Sequence, residues 1–121
     1  MGKALGLPRE RRIKQGRDFL RIKTEGQRFA SGCLIANWAS TAGGGASRLG
    51  VITGRKIGNA VVRARARRLL REAFRIHQLE LARPIDLVLV ARPSIAGKAF
   101  QAVERDLIEA FRRGRILKEP A

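Results

Sequence analysis

Residues 55–75, RKIGNAVVRARARRLLREAFR, hold eight cations: Arg55, Lys56, Arg63, Arg65, Arg67, Arg68, Arg71 and Arg75. Glu72 is the one acid among them. Like charges three or four apart on a helix repel by ~0.2–0.5 kcal/mol per pair. A helix that keeps so many of one sign is most simply explained by a polyanion that relieves the repulsion, and nucleic acid is the natural candidate. At about 100° per residue, Val62, Ala66, Leu69, Leu70, Ala73 and Ile76 fall on one side. Arg67, Arg68, Arg71 and Arg75 fall opposite as a cationic ridge, with Arg63 and Arg65 on its margins. Ala64 sits in the middle of that ridge, where a methyl group has nothing to pack against.

The segment GRKIGN places Arg55 and Lys56 just before the helix start, where backbone N–H groups and the helix dipole favour an anion such as phosphate. It is no P-loop, since GxxxxGK[ST] does not occur. Groups for covalent catalysis are missing. His77 is the one histidine, and its phase puts it at the edge of the apolar face. The acids are scattered, and neighbours such as Glu104 and Asp106 read as helix-surface charges. Neither a carboxylate metal cluster nor a nucleophile triad can be assembled. Cys33 is alone, which excludes an intrachain disulfide and leaves a zinc site without thiolate partners; a buried thiol in a reducing compartment fits it best. Phe74, Phe100 and Phe111 have interior phases. Phe19 suits either the core or stacking on an unpaired base, worth ~1–3 kcal/mol.

These residues need a scaffold. The length, 121 residues, suits one domain, and 45% hydrophobic residues suit a globular core. Net charge is +16, and 20 of the 26 basic residues are arginine, whose guanidinium forks suit phosphates and base edges. No segment approaches a signal-peptide core or a membrane span, so a cytoplasmic protein is expected. Residues 1–15 read as a basic extended arm, 16–115 as one RNA-binding domain and 116–121 as a tail. Asp18 to Glu25 predicts a short helix stopped by Gly26. Arg28 to Ala39 predicts one strand kinked at Ser31-Gly32, forming a hairpin with Leu49–Thr53 across the TAGGGAS turn. The long helix is capped by Asn59 and extends to about Leu81, before Pro84. Ile85 to Ala91 reads as a strand buried on both faces, and Lys98 to Arg113 as a final amphipathic helix. The order α-β-β-α-β-α implies an α+β sandwich with a small mixed sheet.

Leu7–Phe19 (LPRERRIKQGRDF), Arg48–Arg75 (RLGVITGRKIGNAVVRARARRLLREAFR) and Ile85–Pro93 (IDLVLVARP) closely resemble the protein subunit of bacterial ribonuclease P. The specific part is the Lys-x-Gly-x-Ala-Val-x-Arg-x-Arg pattern from Lys56, which continues along the helix into Arg-Arg-x-x-Arg-Glu at Arg67–Glu72. The resemblance implies a left-handed βαβ crossover around the long helix, against the general rule. It further implies a cofactor role in 5′ maturation of tRNA, with Mg2+ and the catalytic centre held by the RNA subunit. The implied partners are the catalytic RNA and the 5′ leader of precursor tRNA, with no obligate protein partner and no membrane. Carried over by position, Arg63, Arg65, Arg67, Arg68 and Arg71 contact RNA, Arg55 and Lys56 contact phosphate, and Phe19 walls the leader cleft. Arg75 joins the RNA face by phase and Ala64 the leader site. Three positions depart from the family pattern. Ala64 replaces an asparagine between two arginines, while Lys23 and Asn37 stand where aromatic residues often line the cleft. The alternative reading is a ribosomal or general structured-RNA-binding protein without a processing role. A DNA-binding helix is disfavoured by the scarcity of Asn and Gln for adenine readout.

Overall fold

The computed structural model describes residues 12, 13, 16–41 and 45–119. Most of the basic arm, the centre of the TAGGGAS turn and the last two residues lie outside this range. Three helices and four strands are present: α1 (Gly16–Glu25), β1 (Gln27–Ser31), β2 (Leu34–Ser40), β3 (Arg48–Ile52), α2 (Ala60–His77), β4 (Ile85–Ala91) and α3 (Phe100–Arg113).

The strand expected over Arg28–Ala39 is in fact a hairpin, β1 and β2, so the order becomes α-β-β-β-α-β-α. The predicted kink is its turn. Gly32 adopts φ 54°, a left-handed conformation that glycine reaches without strain. Asp106 of α3 accepts a hydrogen bond from the Cys33 amide at 2.9 Å. A second correction concerns pairing. The sheet order is β1-β2-β4-β3, with β2 antiparallel to β4 and β3 parallel to β4. The expected hairpin between the second strand and Leu49–Thr53 therefore does not form. β4 lies between β2 and β3 and is buried on both faces: Leu87 and Leu89 fully on one, Val88 nearly so on the other. β3 and β4 run parallel, so their connection must cross over the sheet, and α2 makes that crossover.

The two faces of the sheet are covered unequally. Leu34, Ala36, Trp38, Leu87 and Leu89 meet Leu70, Ala73 and Phe74 of α2 and Val103, Leu107 and Phe111 of α3 in the main core. On the other face a small cluster of Ile13, Ile22 and Val88, with Phe19, Ala39 and Val90 against it, seats α1. Phe74 and Phe111 are fully buried, as their phases predicted, and Phe100 is partly so. α2 starts as expected, Asn59 Oδ1 accepting from the Val62 amide at 3.0 Å. It ends at His77 in a short turn, Gln78–Glu80. The residues after α3 also pack onto the fold. Ile116 is fully buried, its carbonyl accepts from the Ala82 amide at 2.7 Å, and Leu117 bridges Leu81. At the other end Ile13, placed in the arm from sequence, is buried, and its amide donates to the Leu49 carbonyl at 2.8 Å.

Candidate nucleic-acid interface

α2 buries Ala66, Leu70, Ala73 and Phe74 and turns its arginines outward. Arg68, Arg71 and Arg75 line a groove of about 240 Å³ together with Glu72 and Arg12. Arg12 belongs to the segment before α1, and its bridge to Leu49 brings it beside the ridge; periodicity within α2 gave no sign of it. Burial first, then the charges of Arg12 and Arg67, push the Arg71 guanidinium below its ordinary pKa. Glu72 offsets only Arg75, which holds it through Nε and Nη2 at 2.9 and 2.5 Å, and the groove keeps the charges of Arg12, Arg68 and Arg71. That contact keeps Glu72 below the usual carboxylate range.

The remaining predicted cations divide. Arg65 Nη2 donates to the Lys98 carbonyl at 2.9 Å, tying α2 to the approach of α3. Arg67 Nη1 donates to Thr53 Oγ1 at 2.8 Å, just beyond β3. Both are thus partly engaged by the fold. Arg55 and Lys56 are exposed on a single helical turn, Arg55–Ile57, anchored by buried Ile57. The α2 N-terminus that they flank is already capped by Asn59. Arg63 and Ala64 are half-buried on the first turns of α2.

A second concavity, about 520 Å³, opens on the opposite face of the sheet. Phe19, Leu20, Ile22 and Lys23 of α1 form its wall, and Arg28, Ile35, Asn37, Ile52, Val88 and Val90 its floor. Strand register sets this floor in two rows. Arg28 pairs with Asn37, Asn37 with Val88, and Val88 with Gly50. The next row is Ala30, Ile35, Val90 and Ile52. Phe19 lies over Gly50, where an added Cβ would come within 2.9 Å of the ring. Glycine there lets the aromatic wall approach the sheet. The structure brings Phe19, Lys23 and Asn37 into one cleft, whereas Ala64 is not among its lining residues. Leu20 and Ile52, 61% and 42% exposed, leave the cleft mouth apolar and open.

Beneath α1, and invisible to sequence reasoning, the fully buried Asp86 accepts from Arg48 Nε and Nη2 at 2.9 and 2.8 Å and also from Arg21 Nη2. The Asp86 hydrogen bonds raise the Arg48 pKa further. His77 bridges Glu80 and Glu104, each 2.7 Å from a different ring nitrogen. So Glu104 and Asp106, expected to be surface charges, bind His77 and the β1–β2 turn. Cys33 is buried, and burial first, then its hydrogen bond to Asp106, push the thiol up to about 12; it is inert. Among the described residues no three His, Cys, Asp or Glu side chains could hold a metal ion, and no helix is long and apolar enough to cross a membrane.

A family model described as Ribonuclease P matches residues 7–115. The ribonuclease P protein component of Brevibacillus brevis is 32% identical over 111 residues, covering 92% of this chain and 88% of that protein. The one from Dictyoglomus turgidum is 34% identical, covering 93% and 95%. Among solved structures, the Staphylococcus aureus RNase P protein superposes with a TM-score of 0.80 at 25% identity, covering 89% of this chain and 98% of that one. The Thermotoga maritima protein gives 0.74 at 28%, covering 84% and 96%.

Proposed function

The chain belongs to the ribonuclease P protein family, and from that premise we propose that its two concave surfaces divide the labour. The α2 groove docks on the catalytic RNA, and the cleft under α1 receives the single-stranded 5′ leader of precursor tRNA. As the protein component of the ribonuclease P ribonucleoprotein endonuclease, the chain serves 5′ maturation of tRNA with ribonuclease P RNA as its partner. Family membership sets aside the alternative of an RNA-binding protein without a processing role.

The observation that carries the docking assignment is the groove of Arg12, Arg68 and Arg71, whose one acid, Glu72, is paired with Arg75 at its side. Phosphates entering there relieve repulsion that the protein leaves standing, and they displace counterions, which makes binding steeply salt-dependent. Arg55, Lys56 and Arg63 extend this surface around the start of α2, with Arg65 and Arg67 contributing the donors their protein contacts leave free. The cleft suits a different ligand. Its aliphatic floor and Phe19 offer apolar contact to unpaired bases, while Lys23 and Arg28 supply charge for the backbone.

Five acids among the described residues are already engaged within the fold. Asp86 is held by arginines, Glu72 by Arg75, Glu80 and Glu104 by His77, and Glu109 by Arg112. In this proposal magnesium and the hydrolytic step belong with the RNA subunit, as membership of the family implies, and the protein supplies affinity and position. The test is reconstitution. Purified chain with a bacterial ribonuclease P RNA should cut precursor tRNA once, at the mature 5′ end, with the largest gain over RNA alone at low magnesium. Cleavage by RNA-free protein, abolished by a point mutation in it, would overturn the assignment.

A further inference from the structure

We propose that Asp86, acting through Arg21 and Arg48, is a positioning residue that sets the opening of the cleft under α1; the inference rests on assigning that cleft to the leader. The floor of the cleft is fixed by the strand ladder, so its width depends on where α1 lies. Apolar contact alone holds α1 weakly. Ile22 is its one fully buried side chain, Phe19 is partly buried over Gly50, and Leu20 points into the open cleft.

What fixes the helix is charge. Asp86 occupies the sheet row beside Ala39 and Arg48, next to the Arg28–Asn37–Val88 row of the cleft floor. Arg48 grips both Asp86 oxygens, and its Nη2 also reaches Asp18 of α1 at 3.4 Å. One turn further along α1, Arg21 donates Nη2 to Asp86 and Nη1 to the Ser40 carbonyl at 3.3 Å. Arg21 thus ties α1 directly to the buried carboxylate through one nitrogen, and Asp18, one turn earlier, is tied to it indirectly through Arg48, which alone grips Asp86 with two nitrogens. The same helix presents Phe19 and Lys23 to the cleft. Directional bonds define an angle that a narrow apolar contact leaves loose. The cluster contains two arginines and two aspartates, so it adds no net charge to attract RNA, and its contribution to leader binding is geometric.

The experiment uses the full chain reconstituted with ribonuclease P RNA and compares affinities for precursor and mature tRNA. Arg21→Gln leaves Asp86 paired with Arg48 and frees one turn of α1. It should lower the precursor-to-mature affinity ratio several-fold without changing affinity for mature tRNA or for the catalytic RNA, and Arg21→Lys should restore part of the loss. Asp18→Asn separates geometry from charge. Removing a negative charge would tighten leader binding if bulk electrostatics ruled, whereas loosening α1 weakens it. It also decides the matter if Arg21→Gln fails to fold, since Asp18 is only half-buried. A folded Asp18→Asn protein whose ratio is unchanged or higher overturns the positioning role. A wild-type enzyme with no preference for precursor tRNA overturns the leader assignment itself, and this inference with it.

Discussion

Arg21 and Arg48 reach the same buried carboxylate, Asp86, whereas Arg12, Arg68 and Arg71 ring a groove whose one acid, Glu72, is already held by Arg75. The residue type is the same in both regions and the physics is opposite. Under α1 the fold itself neutralises its cations and uses them to fix a helix. On α2 it leaves them unneutralised, and burial, reinforced by the charges of Arg12 and Arg67, holds the Arg71 pKa down. In a chain of net charge +16, the positive residues that indicate function are those the protein does not compensate.

The largest expected effect follows from cutting the compensated cluster. Asp86→Ala strands two guanidinium groups around a buried position and should destabilise the fold by ~3–5 kcal/mol, read by chemical denaturation. Arg71→Ala should stay within ~0.5 kcal/mol of wild type. Similar losses for both would erase the contrast.

Salt titration sharpens it from the other side. Arg68→Ala and Arg71→Ala should each shallow the slope of log affinity for the catalytic RNA against log salt by roughly 0.7–0.9, one phosphate contact. Arg21→Lys should leave that slope alone. An Arg71→Ala slope equal to wild type would remove Arg71 from the docking surface.

His77 stands between the two extremes, a cation that pH can switch. A neutral imidazole has one N–H donor, so satisfying Glu80 and Glu104 at once requires the charged ring. Burial pulls the His77 pKa down, but the hydrogen bonds that the ring donates to Glu104 and Glu80 outweigh it and leave it raised above the ordinary 6.5. The stabilisation is therefore fully present below about pH 6.5 and is lost as pH rises through the higher folded-state value. With the ring partly exposed, it should amount to ~1 kcal/mol or less. Since the chain has a single histidine, an imidazole NMR titration reads that pKa directly, and His77→Gln should flatten the pH dependence of stability. A ring titrating at or below 6.5 would show that the bridge does not hold the charge.

The smallest effect is expected at Ala64, on the ridge but outside both ion clusters. Asparagine there should reduce stability by a few tenths of a kcal/mol through helix propensity. Because position 64 lies outside the cleft lining, the precursor-to-mature affinity ratio at low magnesium tests the contact that the family pattern implied there. A rise would return position 64 to the leader site, and a flat ratio is the outcome the geometry favours.

What the sequence revealed and what it hid follow one physical line. Local signals were legible: the Asn59 cap, the apolar stripe opposite the arginines, and β4 as a strand buried on both faces. The hairpin was half legible, because Ser31-Gly32 announced a break while the bond from Cys33 to Asp106 that completes the turn spans 73 residues. β3 was given the wrong partner, since proximity in sequence suggested a hairpin and only the central burial of β4 decides otherwise. The Asp86 cluster joins residues 65 and 38 positions apart. No periodicity within one element encodes such a meeting, nor the arrival of Arg12 beside α2.

β1 is an outer strand of the sheet, and outer strands expose carbonyl and amide groups that invite another chain to add on. Here the last turn of α3 occupies that margin. Arg113 Nη1 donates to the Ala30 carbonyl at 2.7 Å, and its guanidinium lies 5.6 Å from the centre of the Phe29 ring. One carbonyl of that edge is thus taken by a side chain of the same molecule before any neighbour can reach it. A helix that serves the core also keeps this margin of the sheet from recruiting neighbours.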